Sequence, residues 1–172
     1  MKNWLLLFSL LFVFTGNVKA QQDSVKKEQP HIYDPKADAS KQIKDAVAKA
    51  AKEKKHVLIQ VGGNWCIWCI RFNNLVNLDT TLHRMVNENY VVVHLNYSKE
   101  NKNEKILAQL GCPQRFGFPV FVILDAKGNR LHTQNSAYLE KDKGHDPKKV
   151  ADFLNAWSPA ALDPKNYAGQ DN

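Results

Sequence analysis

The sequence predicts an α/β fold: a mixed sheet of four strands, or five, with helices on both faces. Three observations carry that expectation. The runs HVLIQV (56–61), YVVVHLNY (90–97) and PVFVILD (119–125) are short and rich in branched apolar residues, as buried strands are. Stretches with apolar residues at helical spacing precede, separate and follow them. The turn Ala126-Lys127-Gly128-Asn129 joins the third run to a fourth, Arg130 to Thr133. An antiparallel pair is thereby added to a strand–helix–strand unit, whose crossover makes its own two strands parallel.

The first twenty residues stand outside this fold. Lys2 gives a short positive start, Trp4 to Phe14 form an almost unbroken apolar run of eleven residues, and Val18-Lys19-Ala20 ends in a small residue. That is the layout of an export signal cleaved after Ala20. The run is short of the roughly 20 apolar residues a membrane-spanning helix needs; an uncleaved anchor is the competing reading. Cleavage leaves no integral membrane segment and places the protein in the periplasm or outside the cell. It removes two of the 24 Lys and Arg and none of the 17 Asp and Glu, so the mature charge is +5 with histidine neutral. The bases are scattered among acids without interleaved aromatics, which argues against a nucleic-acid partner.

Residues 21–39 read as a polar linker or loosely attached arm with Pro30 and Pro35. The domain proper is expected over 40–157, followed by a loose tail, 158–172. Ser40 can cap a helix to about Lys55 in which Ile43, Val47, Ala50 and Ala51 share a face. The strand His56–Val61 follows and ends at Gly62-Gly63, read as a sharp turn. Helical spacing resumes from Cys66 to about Leu78, with Ile70, Leu75 and Leu78 on the apolar side, and again from Thr80 to Asn89. After the strand 90–97 comes a short helix, Glu104 to Leu110, stopped by Gly111 and Pro113. The last helix, Pro147 to Trp157, presents Val150, Phe153, Leu154 and Trp157, with Pro147 suited to its first turn.

The chain has three cysteines, Cys66, Cys69 and Cys112. An odd count this small does not fit a disulfide-stapled secreted scaffold. Cys66 and Cys69 lie in GGNWCIWCIRF (62–72), and read alone such a pair can hold a metal, lock a loop or exchange disulfides. Position favours exchange. Cys66 falls where a helix begins, and the unpaired N–H groups and dipole of a helix N-terminus stabilise a thiolate. Cys69 is one turn further on, shielded and within reach, so Cys66 can serve as the exposed nucleophile and Cys69 as the resolving thiol. A structural zinc site wants four ligands, which this chain does not offer at the usual spacings. A loop this small restrains the unfolded chain little, which weakens the staple reading. Cys112, beside Pro113, reads as a small buried hydrophobe.

Trp65-Cys66-Ile67-Trp68-Cys69 after an apolar strand resembles the WCxxC site of the thioredoxin superfamily. Phe116-Gly117-Phe118-Pro119-Val120 resembles the segment that carries those proteins' cis-proline, and His94-Leu95-Asn96 is a weaker echo. The likeness covers about residues 40–157 and is nearest to secreted bacterial thioredoxin-like proteins with WCxWC. It implies a thioredoxin-like fold, attack by Cys66, resolution by Cys69, and a site walled by Trp65, Phe118 and a cis Pro119 beside which an extended substrate pairs. It implies no cofactor and no metal.

Three departures stand out. The buried aspartate of the family, six residues before the first cysteine, is here Gln60, which cannot titrate. The family lysine that accompanies it falls at His94, a possible aid to proton transfer. Ile67-Trp68 between the cysteines has no histidine to stabilise a thiolate, which tilts the pair toward a reductant. The resulting expectation is an extracytoplasmic thiol–disulfide oxidoreductase that reduces or isomerises disulfides in exported proteins and is recharged by a membrane electron donor. The alternatives are a thioredoxin-fold binding or chaperone module and, behind it, a metal carrier.

Overall fold

The computed structural model describes residues 31–169. The expected export signal, residues 1–20, lies outside the described residues, as do the first ten residues of the arm and the last three of the tail.

Among the described residues five α-helices, α1 (Ala39–Glu53), α2 (Ile67–Leu78), α3 (Thr80–Asn89), α4 (Glu104–Gln109) and α5 (Pro147–Ala156), surround a sheet of β1 (His56–Gly62), β2 (Tyr90–Asn96), β3 (Val120–Leu124) and β4 (Arg130–Asn135). The strand order is β2-β1-β3-β4. β1 and β2 are parallel, while β3 runs antiparallel to both β1 and β4. The mixed four-stranded sheet is the expected one. A second sheet of two short strands, β5 (Glu140–Lys141) and β6 (Gly144–His145), was not foreseen.

The two central strands are buried along their whole length, and the pleat sorts their side chains between two cores. Val57, Ile59, Val61, Val120, Val122 and Leu124 join Ala46 and Ala50 of α1 and Leu107 of α4. Leu58, Phe121 and Ile123 face the other way, onto Phe72 and Val76 of α2, Leu82 and Val86 of α3, and Phe153 and Leu154 of α5. By the same alternation Gln60 points to the α2 side, a polar residue in an apolar row. The mouth of the site lies there, at the C-terminal end of β1.

Local signals differ from the sequence reading in three places, while the break between the two helices at residue 79 falls where the spacing put it. Asp38, not Ser40, caps α1, its carboxylate accepting from the Lys41 N–H at 3.0 Å. Ala51 and Leu78 are exposed, Leu78 at 81 %. Both lie near helix ends, where the apolar stripe has already turned away from the sheet. Asp79 separates α2 from α3 by leaving helical geometry and capping Thr81 and Leu82. Cys112 is exposed rather than buried, because it adopts a left-handed conformation as the chain leaves α4.

The larger correction concerns the arm. Residues 31–39 are not a loose tether: Tyr33 is 2 % exposed and Ala39 belongs to the first core. The tail is mostly exposed through residue 169, with one short turn, Pro164–Tyr167.

Candidate functional site

Cys66 and Cys69 form a disulfide, with Cα atoms 5.2 Å apart. Cys66 is the N-cap of α2, and its sulfur accepts the Cys69 N–H at 3.1 Å. In the reduced protein the same N–H and the positive end of the helix dipole face the Cys66 sulfur, the environment that favours its thiolate. Cys66 is nevertheless only 4 % exposed and Cys69 fully buried, so the expected contrast between an open nucleophile and a shielded partner is slight in the disulfide form. Tyr33 completes the cluster, with Ile32, Trp68 and Phe118 packed against it.

Gly62-Gly63 is not there for a turn that demands glycine. Neither residue has a positive φ, and Gly62 is the last residue of β1. What the pair supplies is space. A Cβ on Gly62 would fall 2.8 Å from the Tyr33 hydroxyl oxygen and closer still to Cys69 Sγ. A Cβ on Gly63 would collide with the Trp65 indole and lie 2.8 Å from the Tyr97 carbonyl oxygen. The first glycine therefore lets a sulfur and a phenol meet under the strand end. The second lets Trp65 fold across it, where its Nε1–H donates to the Tyr97 carbonyl at 2.7 Å.

Trp65 stands edge-on to Phe118, centroids 5.3 Å apart, and Phe118 packs on Tyr97 at 4.8 Å. Trp65 itself stays 58 % exposed and borders a groove of about 340 Å³ lined by Tyr97, Ser98, Lys99, Glu100 and Lys102. The Phe118–Pro119 peptide is cis, and because Phe118 touches the cysteine cluster the peptide lies on the disulfide's flank. Trp65 packs on Phe118 and Phe118 on the cysteine cluster, with Pro119 next in the chain.

Gln60 and His94 are direct partners across β1 and β2. The Gln60 amide donates to the Tyr33 hydroxyl at 2.7 Å and to the Cys69 carbonyl at 3.1 Å. His94 meets the edge of the Tyr33 ring, centroids 5.5 Å apart, and burial holds its pKa below the usual histidine range. It is hydrogen-bonded to neither cysteine among the described residues. No group of three or more His, Cys, Asp or Glu positioned for a metal occurs among the described residues. Nor is any described helix long and apolar enough to cross a membrane.

Sequence reasoning missed Tyr33 and its holder Asn64. The Asn64 side chain accepts the Tyr33 N–H at 3.0 Å and donates to the Tyr33 carbonyl at 2.8 Å, a two-bond clamp that seats the arm beside the disulfide. The available signal was a lone apolar pair, Ile32-Tyr33, in an otherwise polar stretch.

Comparison with known proteins agrees with this geometry. A family model described as Thioredoxin-like matches residues 38–126. No curated protein sequence matches the chain. Among solved structures, a disulphide isomerase from Xylella fastidiosa Temecula1 superposes with a TM-score of 0.67 at 23% identity, covering 74% of this chain and 97% of that one. A DsbH oxidoreductase is a weaker likeness, TM-score 0.49 at 21% identity over 64% of this chain and 78% of that one. The family model spans more than half of the chain and takes in the cysteine pair, β1 and the cis-proline segment: this chain belongs to the thioredoxin-like family.

Proposed function

We propose that the protein is an extracytoplasmic thiol–disulfide oxidoreductase that reduces or reshuffles disulfides in exported proteins. The observation that carries this reading is the placement of Cys66 as the N-cap of α2 with Cys69 bonded to it one turn on. In the reduced state the Cys66 thiolate attacks a substrate disulfide, one substrate sulfur leaves as a thiolate, and a mixed disulfide remains on Cys66. Cys69 then attacks Cys66, the substrate's second sulfur leaves, and the pair is oxidised as the substrate is reduced. Trp65, Phe118 and Pro119 form the wall along which an extended segment would lie. The fold likeness to a disulphide isomerase supports the reaction class.

The location rests on the residues 1–20 signal, and the reducing direction on Ile67-Trp68, which offers no histidine to stabilise a thiolate. A reductant outside the cytosol has to be recharged, and a membrane electron donor is the partner proposed for that.

Insulin reduction by the purified protein and by its Cys66→Ser variant tests the activity. Turnover that vanishes in the variant is the expected result; equal, negligible turnover in both would favour a binding module. The potential of the Cys66–Cys69 couple tests direction. A value near about −270 mV supports a reductant, and one near about −120 mV overturns it in favour of an oxidant. Mass spectrometry of the exported protein should find Gln21 at the N-terminus.

A further inference from the structure

A buried sulfur that must ionise needs a hydrogen-bond donor. Cys69 is fully buried, and an uncompensated thiolate there is penalised by desolvation. Its own backbone N–H is directed to Cys66 Sγ, and the Gln60 amide is committed to the Tyr33 oxygen and the Cys69 carbonyl. No carboxylate is hydrogen-bonded to Cys69, Gln60 or Tyr33 among the described residues.

The Tyr33 hydroxyl is differently placed. It accepts from Gln60, which leaves its own proton free, and among the described residues no acceptor takes that proton. The hydroxyl oxygen and Cys69 Sγ both lie within 2.8 Å of the point a Gly62 Cβ would occupy, so no more than 5.6 Å separates them. A disulfide sulfur is a poor acceptor; a thiolate is a strong one.

Resting on the exchange reading above, we infer that Tyr33, supplied by the N-terminal arm, is the hydrogen-bond donor that stabilises the Cys69 thiolate during resolution of the mixed disulfide. The Cys69 proton passes to water. The thiolate, held by the phenolic O–H, attacks Cys66 Sγ; the Cys66–Cys69 bond forms, the Cys66–substrate bond breaks, and the departing substrate sulfur takes a proton from water. Tyr33 keeps its own proton throughout. Burial raises its pKa well above the ordinary tyrosine value, so it remains a donor wherever Cys69 titrates. Among the described residues the titratable groups around this cluster are Cys66, His94 edge-on to the Tyr33 ring, His31 at 3.5 Å from the Asn64 amide, and His145 edge-on to Trp68. Arg71, on the next turn of α2, lies over the Trp68 ring. Asn64 fixes the arm, Gln60 fixes the phenol oxygen, and Gly62 makes the room.

The test needs no substrate. With Cys66→Ser and Cys112→Ser, Cys69 is the only cysteine left, and thiolate absorbance at 240 nm reads its pKa directly. Adding Tyr33→Phe keeps the ring and removes the donor. The Cys69 pKa should rise by about half to one unit, a three- to tenfold smaller thiolate fraction below the pKa. Replacing Tyr33 with 3-fluorotyrosine, a more acidic phenol of nearly the same shape, should move it the other way. If Tyr33→Phe does not fold, the fluorotyrosine protein decides alone. A Cys69 pKa unmoved by the variants that fold overturns the inference. An unmoved pKa leaves the insulin assay untouched, and a failed insulin assay leaves this titration untouched.

Discussion

Replacing Gly62 with alanine isolates the steric claim on which the site rests. The new methyl would sit 2.8 Å from the Tyr33 oxygen, 3.2 Å from its Cζ, and closer again to Cys69 Sγ, whereas ordinary contact begins at 3.4 Å. The oxygen alone must retreat by 0.6 Å to reach that limit. It has little freedom to do so, since Gln60 holds it at 2.7 Å, His94 flanks the ring, and Cys69 is tied to Cys66. Overpacking of this kind costs about 1–3 kcal/mol. A strained Gln60–Tyr33 hydrogen bond adds about 0.5–1.5 kcal/mol. The expected total, about 2–4 kcal/mol, lowers Tm by about 4–16 °C for a chain of this size. Urea melts of the oxidised protein, with unchanged m, measure it. Gly144→Ala is the control, because nothing lies within 4 Å of its Cβ position and its φ is not positive. It should change stability by less than about 0.5 kcal/mol. If both variants melt alike, Gly62 is not a spacer and the crowding of sulfur and phenol beneath it is wrong.

Asn64→Ala removes both bonds of the arm clamp, about 1–3 kcal/mol of local stability; amide exchange at Tyr33 should accelerate while that of Val57 to Val61 does not. His145 is buried against Trp68 and Phe72 with neither ring nitrogen hydrogen-bonded among the described residues, and burial, with Arg71 adding a smaller push, lowers its pKa to about 4. A depressed folded-state pKa means the unfolded chain binds the proton first, so this stabilisation is complete above about pH 6.5 and lost as pH falls toward 4, by about 2–3 kcal/mol. In His145→Phe the urea stability should fall less steeply across that window, and an unchanged slope would refute the assignment. Gln60→Glu should destabilise the protein at pH 7 and recover part of the loss on acidification, because its carboxyl would be raised by burial against the Cys69 carbonyl; a stability gain at pH 7 would count against this.

The parts of the fold that were legible are those whose cause is local. β1 and β3 sit between two cores, so continuous apolar runs are required of them, and both runs stand out in the sequence. The cysteine pair announced itself by the switch from strand to helix at Cys66. Tyr33 was not legible because its burial is decided by Gln60 and Asn64, 27 and 31 residues away, and not by any periodicity around it. The β5–β6 pair was missed because EKDKGH has no apolar alternation; it is held by a turn through Asp142 at φ 53° and by His145 packing under α2. Gly62-Gly63 was noticed for the wrong reason: a sequence cannot distinguish a glycine needed for its dihedral angles from one needed for its missing Cβ.

These features together explain why an amide stands at position 60. Its Nε2 faces two acceptors at once, the Tyr33 oxygen and the Cys69 carbonyl. An amide has two N–H donors and satisfies both; an ionised carboxylate has none, and would be set against a carbonyl oxygen in a buried row of β1. A protonated acid could serve only one of the two. Once the arm brings a phenol to this spot, the requirement at position 60 is a neutral double donor. On the inference above, the hydroxyl proton that the amide leaves free is the one offered to the Cys69 thiolate. The amide at position 60 and the docking of the arm are thus coupled in the chemistry of the site: without Tyr33 the Gln60 amide would keep one N–H unpaired, and an acid at 60 would draw the phenol's proton to its carboxylate.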